Sequence, residues 1–265
     1  MGRPFKINFE SSTACNAKCI FCPRFDMKRV KGQMSDELFH KIIKDGKAMG
    51  VYDYSPFFMG EPFVFPKIWD WLDYMEKEGV TVALYTNGEY VDIDRLAKYK
   101  NVRYLDFSIN AATKETHTKV MRGPEFDMVK KKYEEARRKL NCMVRASFVT
   151  IEENVQEIEA FRKMFRRTEV VGFYNWTGDM KSKLERKGKR KPCWVLFHQM
   201  IVLWDGKVVP CCADYSGKQI LGDANKQTLK EIWDNSEWMR EKHSQGKWDE
   251  IDVCKDCNYN VENKT

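Results

Sequence analysis

The chain has 265 residues and a mass of 31.4 kDa, with 43% hydrophobic and 32% charged residues. These proportions are typical of a globular protein and exclude a collagen-like or low-complexity chain. The longest apolar stretch, residues 194–204, is interrupted by His198 and Gln199 and is shorter than the ~20 residues that a membrane-spanning helix needs. The net charge of +7 is too small to indicate nucleic-acid binding by itself.

The N-terminal sequence has no apolar segment that would direct secretion, so we expect the protein to stay in a reducing cytoplasm. There, nine cysteines indicate metal binding or catalysis rather than disulfides. Cys142 stands alone and is expected to be a small buried residue. The others form a first group (Cys15, Cys19 and Cys22) and a second group (Cys193, Cys211, Cys212, Cys254 and Cys257).

Strand-like and helix-like segments alternate along the first two thirds of the chain. Apolar runs predict strands at residues 5–9, 54–59, 80–85, 102–109, 143–151 and 170–176. Helical periodicity predicts helices at residues 36–49 (with Ser35 as N-cap), 68–78, 92–99, 126–140 and 155–166. Repeated strand–helix units predict parallel strands covered by helices. Six units do not complete an eight-unit barrel, so we expect a partial (β/α)6 barrel over residues 1–178.

Polar residues follow several of the predicted strands. In parallel barrels, reactive groups gather at the carboxyl ends of the strands. We therefore expect the first cysteine group, Gly60-Glu61-Pro62, Asn87 and residues 108–110 to lie on one face.

A basic segment follows the predicted barrel. Residues 179–192 contain seven Lys or Arg residues and no apolar periodicity, which favours a solvated linker over an electrostatic grip on a phosphate or acidic peptide. Beyond it, Asp205-Gly206 between two apolar runs predicts a β-hairpin. Thr228 is expected to cap a helix that runs to about His243. We expect residues 193–265 to form a second, smaller domain.

The first cysteine group has too few ligands for a closed metal site. Soft thiolates select zinc, copper(I) or iron–sulfur clusters. A structural zinc needs a fourth ligand, and His40 lies eighteen residues beyond Cys22 on a predicted helix. A [4Fe–4S] cluster normally takes four cysteines, so three leave one iron with an open position. We expect such a cluster, with zinc and a distant fourth ligand as the alternative.

Two motifs carry a family resemblance. The segment Cys15-Asn16-Ala17-Lys18-Cys19-Ile20-Phe21-Cys22 resembles the C-x3-C-x-aromatic-C signature of the radical S-adenosylmethionine (SAM) superfamily, with Phe21 at the aromatic position. Gly60-Glu61-Pro62 is similar to the family's GGE-type motif, although Met59 replaces one glycine.

The resemblance implies that SAM chelates the open iron through its amino and carboxylate groups. The reduced cluster would then cleave SAM to methionine and a 5′-deoxyadenosyl radical, which abstracts hydrogen from a substrate. An external electron donor of the flavodoxin or ferredoxin type is also implied. Glu61 would hold the amino group and Arg122 would pair with the carboxylate. The candidate cofactor contacts are Phe21, Gly60, Glu61, Asn87, Ser108, Asn110 and Arg122. No general base is assigned.

The second cysteine group supplies a complete ligand set. Cys193 precedes the predicted hairpin, Cys211 ends it, and Cys254 and Cys257 follow in the tail. Four thiolates would ligate a second [4Fe–4S] cluster, and a structural zinc is the alternative. Cys212 would point elsewhere because neighbouring side chains on a strand alternate. This region resembles a SPASM/twitch auxiliary domain in its shorter, one-cluster twitch form, on residues 204–212, 221–223, 229–233 and 254–257.

Two clusters suit an oxidation. Once hydrogen is abstracted, loss of one electron and one proton converts an alcohol into a ketone, and the second cluster would accept that electron. The layout is similar to that of twitch-containing radical SAM dehydrogenases acting on aminocyclitols, so we expect oxidation of a small sugar or cyclitol alcohol. Candidate substrate contacts, with ordinary packing as the alternative, are Tyr174, Asn175, Trp176, Asp214 and Tyr215.

Two further functions are retained as alternatives. One is maturation of a ribosomal peptide by cross-linking or epimerisation. Only fourteen residues precede Cys15, so we expect no leader-binding domain in this chain, which disfavours that alternative. The other is a non-enzymatic iron–sulfur or zinc-binding protein. It is disfavoured because an electron carrier has no need of an open cluster beside Glu61 and Arg122.

Overall fold

The computed structural model describes residues 2–184 and 186–261, which form two compact units that interleave along the chain. Unit 1 comprises the described residues up to Thr13, Pro23–Met59 and those from Tyr174 onward. Unit 2 comprises Ala14–Cys22 and Gly60–Phe173. The division predicted from the sequence, at residues 1–178, 179–192 and 193–265, follows chain order and stays a prediction.

Unit 2 is built on four parallel strands. They are β3 (Thr81–Thr86), β4 (Val102–Ser108), β5 (Met143–Thr150) and β6 (Thr168–Gly172), paired in that order. The helices between and before them are α2 (Ile68–Lys77), α3 (Ile93–Leu96), α4 (Lys114–Met121), α5 (Phe126–Lys139) and α6 (Ile158–Met164). Their parallel pairing confirms the predicted strand–helix alternation.

Aromatic rings fill the space between this sheet and its helices. Tyr133 of α5 meets Phe107 of β4 edge-on, with ring centroids 5.7 Å apart, and meets Phe165 at 5.1 Å. Phe148 of β5 packs on Phe161 of α6 at 4.9 Å. All five rings are almost inaccessible to solvent. Such edge-to-face pairs add to the free energy gained by burial and fix the strand ends that carry the site.

The described residues of unit 1 include five strands. They are β1 (Lys6–Phe9), β2 (Asp53–Ser55), β7 (Gln199–Val202), β8 (Lys207–Val209) and β9 (Gly222–Asp223). Strand β1 pairs in parallel with both β2 and β7, while β8 is antiparallel to β7 and β9. The Asp205-Gly206 hairpin is therefore confirmed. Its first strand also extends a parallel sheet with β1, which the sequence did not predict.

The described helices of unit 1 are α1 (Asp36–Ala48), α7 (Trp194–His198), α8 (Leu229–Asn235), α9 (Glu237–Ser244) and α10 (Asp252–Lys255). Helices α8 and α9 replace the single helix that the sequence predicted. Thr228 caps α8 as predicted, in a capping box with Glu231. The break at Ser236 is stabilised by the buried Arg240, which donates to Ser236 Oγ (2.9 Å) and to Trp233 O (2.6 Å).

Several boundaries differ from the sequence-based prediction. Helix α4 was missed, and β2 is only three residues long because Pro56 follows it. Strand β6 ends at Gly172, and Trp176 and Thr177 have left-handed backbone angles (φ 48° and 60°) that end extended structure. Cys142 is half-buried rather than enclosed.

Among the described residues, no helix is both long enough and apolar enough to span a bilayer.

Candidate functional site

The loop that carries the first three cysteines is tied to the end of helix α4 in unit 2. The backbone N–H of Lys18 donates to Met121 O (3.1 Å) and Arg122 O (3.0 Å), and that of Ile20 donates to Val120 O (3.0 Å). A Cβ on Gly123 would lie 2.6 Å from Asn16 O, so only glycine allows this approach. These contacts hold a loop of half-buried thiols, Cys15, Cys19 and Cys22, in a curled conformation.

Glu61 closes the other side of the loop through its backbone. Its N–H donates to Ala14 O (2.8 Å), next to Cys15. Its carboxylate is buried and accepts from Thr86 Oγ1 (2.6 Å), Asn87 N (2.7 Å) and Phe63 N (3.3 Å). Burial raises the pKa of Glu61 to about 7, although these donors oppose the shift. Since both oxygens bind protein donors, its predicted contact with a SAM amino group stays a prediction.

Asn87 lies beside the first cysteine. Its Nδ2 donates to Asn16 Oδ1 (2.7 Å) and is 4.0 Å from Cys15 Sγ. Asn16 in turn donates to the carboxylate of Glu89, whose N–H donates to Asn87 Oδ1 (3.1 Å). The end of β3 is thereby joined to the cysteine loop, as expected for the carboxyl end of a parallel strand.

Asn110 reaches the second cysteine through a methionine. Its Nδ2 donates to Met121 Sδ (3.1 Å), and the thiol of Cys19 contacts the same sulfur at 3.6 Å. Its Oδ1 accepts from Val149 N (2.7 Å), and its own carbonyl accepts from Asn154 Nδ2 (2.9 Å). Asn110 is buried with φ 60°, a strained backbone held by these contacts.

The remaining predicted contacts are less constrained. Arg122 ends α4 with φ 51° and is exposed, and its Nε donates to Lys119 O (3.2 Å) within its own helix terminus rather than into the cysteine loop. Phe21, Gly60 and Ser108 are half-buried. Their cofactor contacts, like that of Arg122, stay predictions.

Four residues that position this site were not predicted from the sequence. Thr86, Asn16, Met121 and Asn154 each hydrogen-bond a predicted site residue. Asn16 lies within the quoted cysteine motif and Thr86 directly precedes Asn87, so both were detectable in the sequence. Met121 and Asn154 lie on elements whose proximity depends on the fold.

The second cysteine group lies in unit 1 around one pocket. Its lining includes all four predicted ligands, Cys193, Cys211, Cys254 and Cys257. They come from the start of α7, the end of the hairpin, and α10 with the turn after it. Burial raises the pKa of each thiol, and the neighbouring sulfurs add to the shift at Cys211 and Cys254. Buried thiolates therefore need a cation to compensate their charge.

Cys212 is close to this pocket but does not line it. It hydrogen-bonds with Tyr259, and burial raises the pKa of its thiol to about 12. Its proximity to Cys193 and Cys257 also contributes to that shift. Its expected role as a spare thiol stays a prediction.

The candidate substrate contacts are engaged with protein in unit 1. The backbone N–H of Asn175 donates to Asn258 Oδ1 (2.8 Å), and its Nδ2 donates to Asp256 O (2.7 Å). Asp214 is buried and accepts from Lys218 N (2.8 Å) and Gln219 N (3.0 Å). The two contacts of Asn175 fasten the segment after β6 to the turn that carries Cys254 and Cys257. The substrate roles of these residues stay predictions.

The ligand chemistry in both regions fits iron–sulfur clusters. A curled loop with three half-buried thiols suits a cluster with one open iron, and four thiols around one pocket suit a closed cluster. Among the residues described, no three His, Cys, Asp or Glu side chains converge as around a single metal ion. The metal content of the protein decides between zinc and clusters.

Comparisons with known proteins agree with these two regions. Residues 9–183 match the family model of the radical SAM superfamily, and residues 193–258 match that of the SPASM iron–sulfur cluster-binding domain. Mycofactocin maturase MftC of Mycobacterium tuberculosis is 26% identical over 208 residues, which are 76% of this chain and 51% of that protein. The chain thus spans about half the length of this curated relative.

A second relative is matched along nearly its whole length. The S-adenosyl-L-methionine-dependent 2-deoxy-scyllo-inosamine dehydrogenase of Niallia circulans is 21% identical over 259 residues, 95% of this chain and 92% of that protein. The crystal structure of BtrN in complex with AdoMet and 2-DOIA superposes with a TM-score of 0.72 at 19% identity, covering 100% of this chain and 97% of that one. This likeness shows the fold.

The first family model covers well over half of the chain. A radical SAM domain implies a [4Fe–4S] cluster and SAM, and a SPASM domain implies auxiliary iron–sulfur binding. The chain therefore belongs to the radical SAM superfamily and carries a C-terminal SPASM domain.

Proposed function

We propose that this protein oxidises a secondary alcohol of a small sugar or cyclitol, using SAM and two [4Fe–4S] clusters. The cysteines of residues 15–22 hold the SAM-binding cluster. Cys193, Cys211, Cys254 and Cys257 hold the auxiliary cluster. The observation that supports this proposal most strongly is that one pocket is lined by these four cysteines, which suits a cluster closed by protein ligands.

The choice of an alcohol substrate rests on the extent of one similarity. The 2-deoxy-scyllo-inosamine dehydrogenase matches 95% of this chain and 92% of its own length, whereas MftC is matched over 51% of its length. Agreement over both barrel and auxiliary region supports a shared type of reaction. Because both identities are low, the proposal names a class of substrate and not an individual compound.

In the SAM region, the side chains of the protein position the cysteine loop and the cofactor and do not themselves react. When bound, the reduced cluster and SAM supply the carbon radical that removes a hydrogen atom from the substrate. Glu61 holds the turn after β2 against Ala14 and the end of β3. Asn87 and Asn110 brace Cys15 and Cys19, and the exposed guanidinium of Arg122 is suited to pair with the carboxylate of SAM. Fixed geometry of this kind keeps the reactive centre aligned and limits side reactions.

In the auxiliary region, the protein provides the electron acceptor. The substrate, having lost one hydrogen atom, loses one further electron and one proton as its C–O bond becomes a carbonyl. Cys193, Cys211, Cys254 and Cys257 would hold a cluster that is able to take up this electron, and the proton would pass to a base. An external donor of the flavodoxin or ferredoxin type would supply the electron that starts each turnover. The electron left on the auxiliary cluster would pass to an oxidised protein of the same type, so that the cluster is ready for the next turnover.

Peptide maturation is the second candidate. It is favoured by the 26% identity with MftC over 208 residues, which exceeds the identity with the dehydrogenase. Both reactions begin with hydrogen abstraction, so the two cysteine regions serve either one. The substrate alone separates them.

The test is an anaerobic turnover assay on the reconstituted protein. It is supplied with SAM, a reductant and a panel of cyclitols and amino sugars, each deuterated at the carbinol carbon. We expect one substrate to yield a product with the mass of the ketone and to transfer deuterium into 5′-deoxyadenosine. Reactions without substrate give the uncoupled background.

A panel of short peptides serves as the competing arm of this assay. Deuterium transfer from a peptide, with none from any alcohol, would replace the dehydrogenase proposal by the maturase. A protein that binds zinc without sulfide and does not cleave SAM would remove both.

A further inference from the structure

His243 lies between two of the four cysteines that line the auxiliary pocket. It belongs to the last turn of α9, and its side chain is only 2% exposed. Its Nδ1 is 3.2 Å from the backbone nitrogen of Cys193. Its Nε2 is 3.3 Å from Cys254 Sγ. No sequence motif drew attention to this residue.

The first of these contacts decides the tautomer of the ring. A backbone N–H of Cys193 can only donate, so Nδ1 of His243 must accept and carries no proton. In a neutral imidazole the other nitrogen then holds the hydrogen. Nε2 is therefore an N–H donor, and it faces Cys254 Sγ, a sulfur acceptor.

The ring is held in this orientation by its surroundings. It packs against Trp248, with ring centroids 5.8 Å apart. Arg190 covers Trp248 with its guanidinium carbon 5.1 Å from that ring centroid, and it donates to the carbonyls of Cys254 and Lys255 (the latter at 3.1 Å). Rotation of the imidazole would lose both its hydrogen bonds and this packing.

We propose that His243 is a positioning residue of the auxiliary cluster, which donates a hydrogen bond to the Cys254 thiolate and raises the reduction potential of the cluster. This inference rests on the proposed function, since it needs a cluster on these cysteines. It is separate from the choice of substrate, because it concerns the potential alone.

The physical basis is the charge that reduction adds. An extra electron on the cluster is shared with the ligand sulfurs, so a fixed N–H donor stabilises the reduced state more than the oxidised state. The same ring fixes the backbone of Cys193 through Nδ1. One side chain thus orients two ligands from separate segments, and a higher potential makes the cluster a better electron acceptor.

Three substitutions separate the two contacts of the ring. His243→Gln places an amide N–H near the position of Nε2 and keeps the donor to Cys254. His243→Asn places an oxygen near Nδ1 and keeps the acceptor for Cys193 while losing the donor. His243→Phe removes both. The exposed His198, elsewhere in unit 1, provides His198→Gln as the matched control.

The measurement is an EPR-monitored redox titration of the full chain loaded with both clusters. The auxiliary component is identified as the one whose spectrum SAM leaves unchanged. For His243→Asn and His243→Phe we expect the ratio of reduced to oxidised auxiliary cluster at a given potential to fall about tenfold, a shift of about 59 mV for one electron. His243→Gln and His198→Gln should titrate like the unmodified protein.

Four results would overturn or support the inference. A higher auxiliary-cluster potential in His243→Gln than in His243→Asn and His243→Phe supports it. Equal auxiliary-cluster potentials in His243→Asn and His243→Gln would overturn it. Loss of the auxiliary iron from both variants would also overturn it, because His243 would then have a purely structural role. An unmodified protein with about four irons instead of about eight would refute the auxiliary cluster itself, before any variant is compared.

Discussion

The cysteine loop of unit 2 and the cysteine pocket of unit 1 use the same side chain in different surroundings. Three thiols of the loop lie within eight residues and are half-buried. The four thiols of the pocket come from three segments that are distant from one another in the sequence, and they line one pocket. As proposed ligands of [4Fe–4S] clusters, three thiols leave one iron open, whereas four form a complete set.

The polar side chains around the loop also differ from those around the pocket. Around the loop, amides and a buried carboxylate connect strand ends to the cysteines, as Asn87, Asn110 and Glu61 do. Around the pocket, His243 and Arg190 are directed at the ligands Cys193 and Cys254 or at their backbone. The first arrangement suits the binding of an incoming polar cofactor, and the second suits adjustment of a resident one.

The sharpest test of this difference removes one cysteine from each region. Cys19→Ala should reduce SAM cleavage at least about a hundredfold, because the open iron is lost with its cluster. Cys254→Ala should retain a measurable part of that cleavage, since the pocket is not needed to bind SAM. The assay is 5′-deoxyadenosine released from SAM with reductant. Equal cleavage by both variants would show that the assigned roles are wrong.

Substitution of the adjacent cysteines Cys211 and Cys212 tests which thiols bind the auxiliary cluster. Cys211 lines the pocket and Cys212 does not. Cys211→Ala should therefore lower the iron and sulfide content from about eight to about four of each. Cys212→Ala should leave both near eight and serves as the matched control. If Cys211→Ala kept all its iron and Cys212→Ala lost about half, Cys212 rather than Cys211 would be the cluster ligand.

The buried carboxylate of unit 2 should give the protein a pH-dependent stability. Burial raises the pKa of Glu61 from 4.5 to about 7, so the folded state holds a proton that the unfolded state releases. The free energy of unfolding should therefore fall as pH rises between these two values, by on the order of 2 kcal/mol over the range from about pH 5.5 to 7.5. Glu61→Gln cannot titrate and should remove this slope, measured by thermal unfolding between about pH 5.5 and 7.5.

The exposed Glu115 provides the control for that experiment. Glu115→Gln should keep the slope of the unmodified protein. If Glu61→Gln also keeps it, the pH dependence arises elsewhere, and Glu61 is ionised throughout the window.

The smallest expected effect concerns Arg122. If its exposed guanidinium pairs with the carboxylate of SAM, Arg122→Ala should weaken SAM binding about tenfold, or roughly 1.4 kcal/mol. Equilibrium binding to the cluster-loaded protein measures this change. Arg138→Ala, which removes another exposed arginine of unit 2, should leave the affinity unchanged. An unaltered affinity for Arg122→Ala would remove this residue from the cofactor site.

Much of the local structure was predictable from the sequence. Ser35 accepts a hydrogen bond from Leu38 N (3.2 Å) as the N-cap of α1, and Thr228 caps α8. Asp205-Gly206 forms the hairpin turn, where Gly206 has φ 89°. These features depend on residues a few positions apart, and such short-range preferences are encoded locally.

Long-range features were predicted poorly. The parallel pairing of β7 with β1 joins segments about 190 residues apart, and no periodicity within either strand specifies a partner. The predicted helix from Thr228 to about His243 is broken at Ser236, where the buried Arg240 satisfies the carbonyl of Trp233. An arginine in a helical pattern gives no indication that it will be buried.

The sequence by itself determined the chemistry of this protein: the spacing of Cys15, Cys19 and Cys22, and the number of cysteines after residue 192, set which metal centres the chain is able to bind. Only the tertiary structure decided which groups surround them. The carboxylate of Glu61 is held by three protein donors, and the Nε2 of His243 is directed at Cys254. The reason is physical: ligand identity depends on atoms that a residue carries, whereas hydrogen bonding and burial depend on neighbours that folding brings from distant parts of the chain.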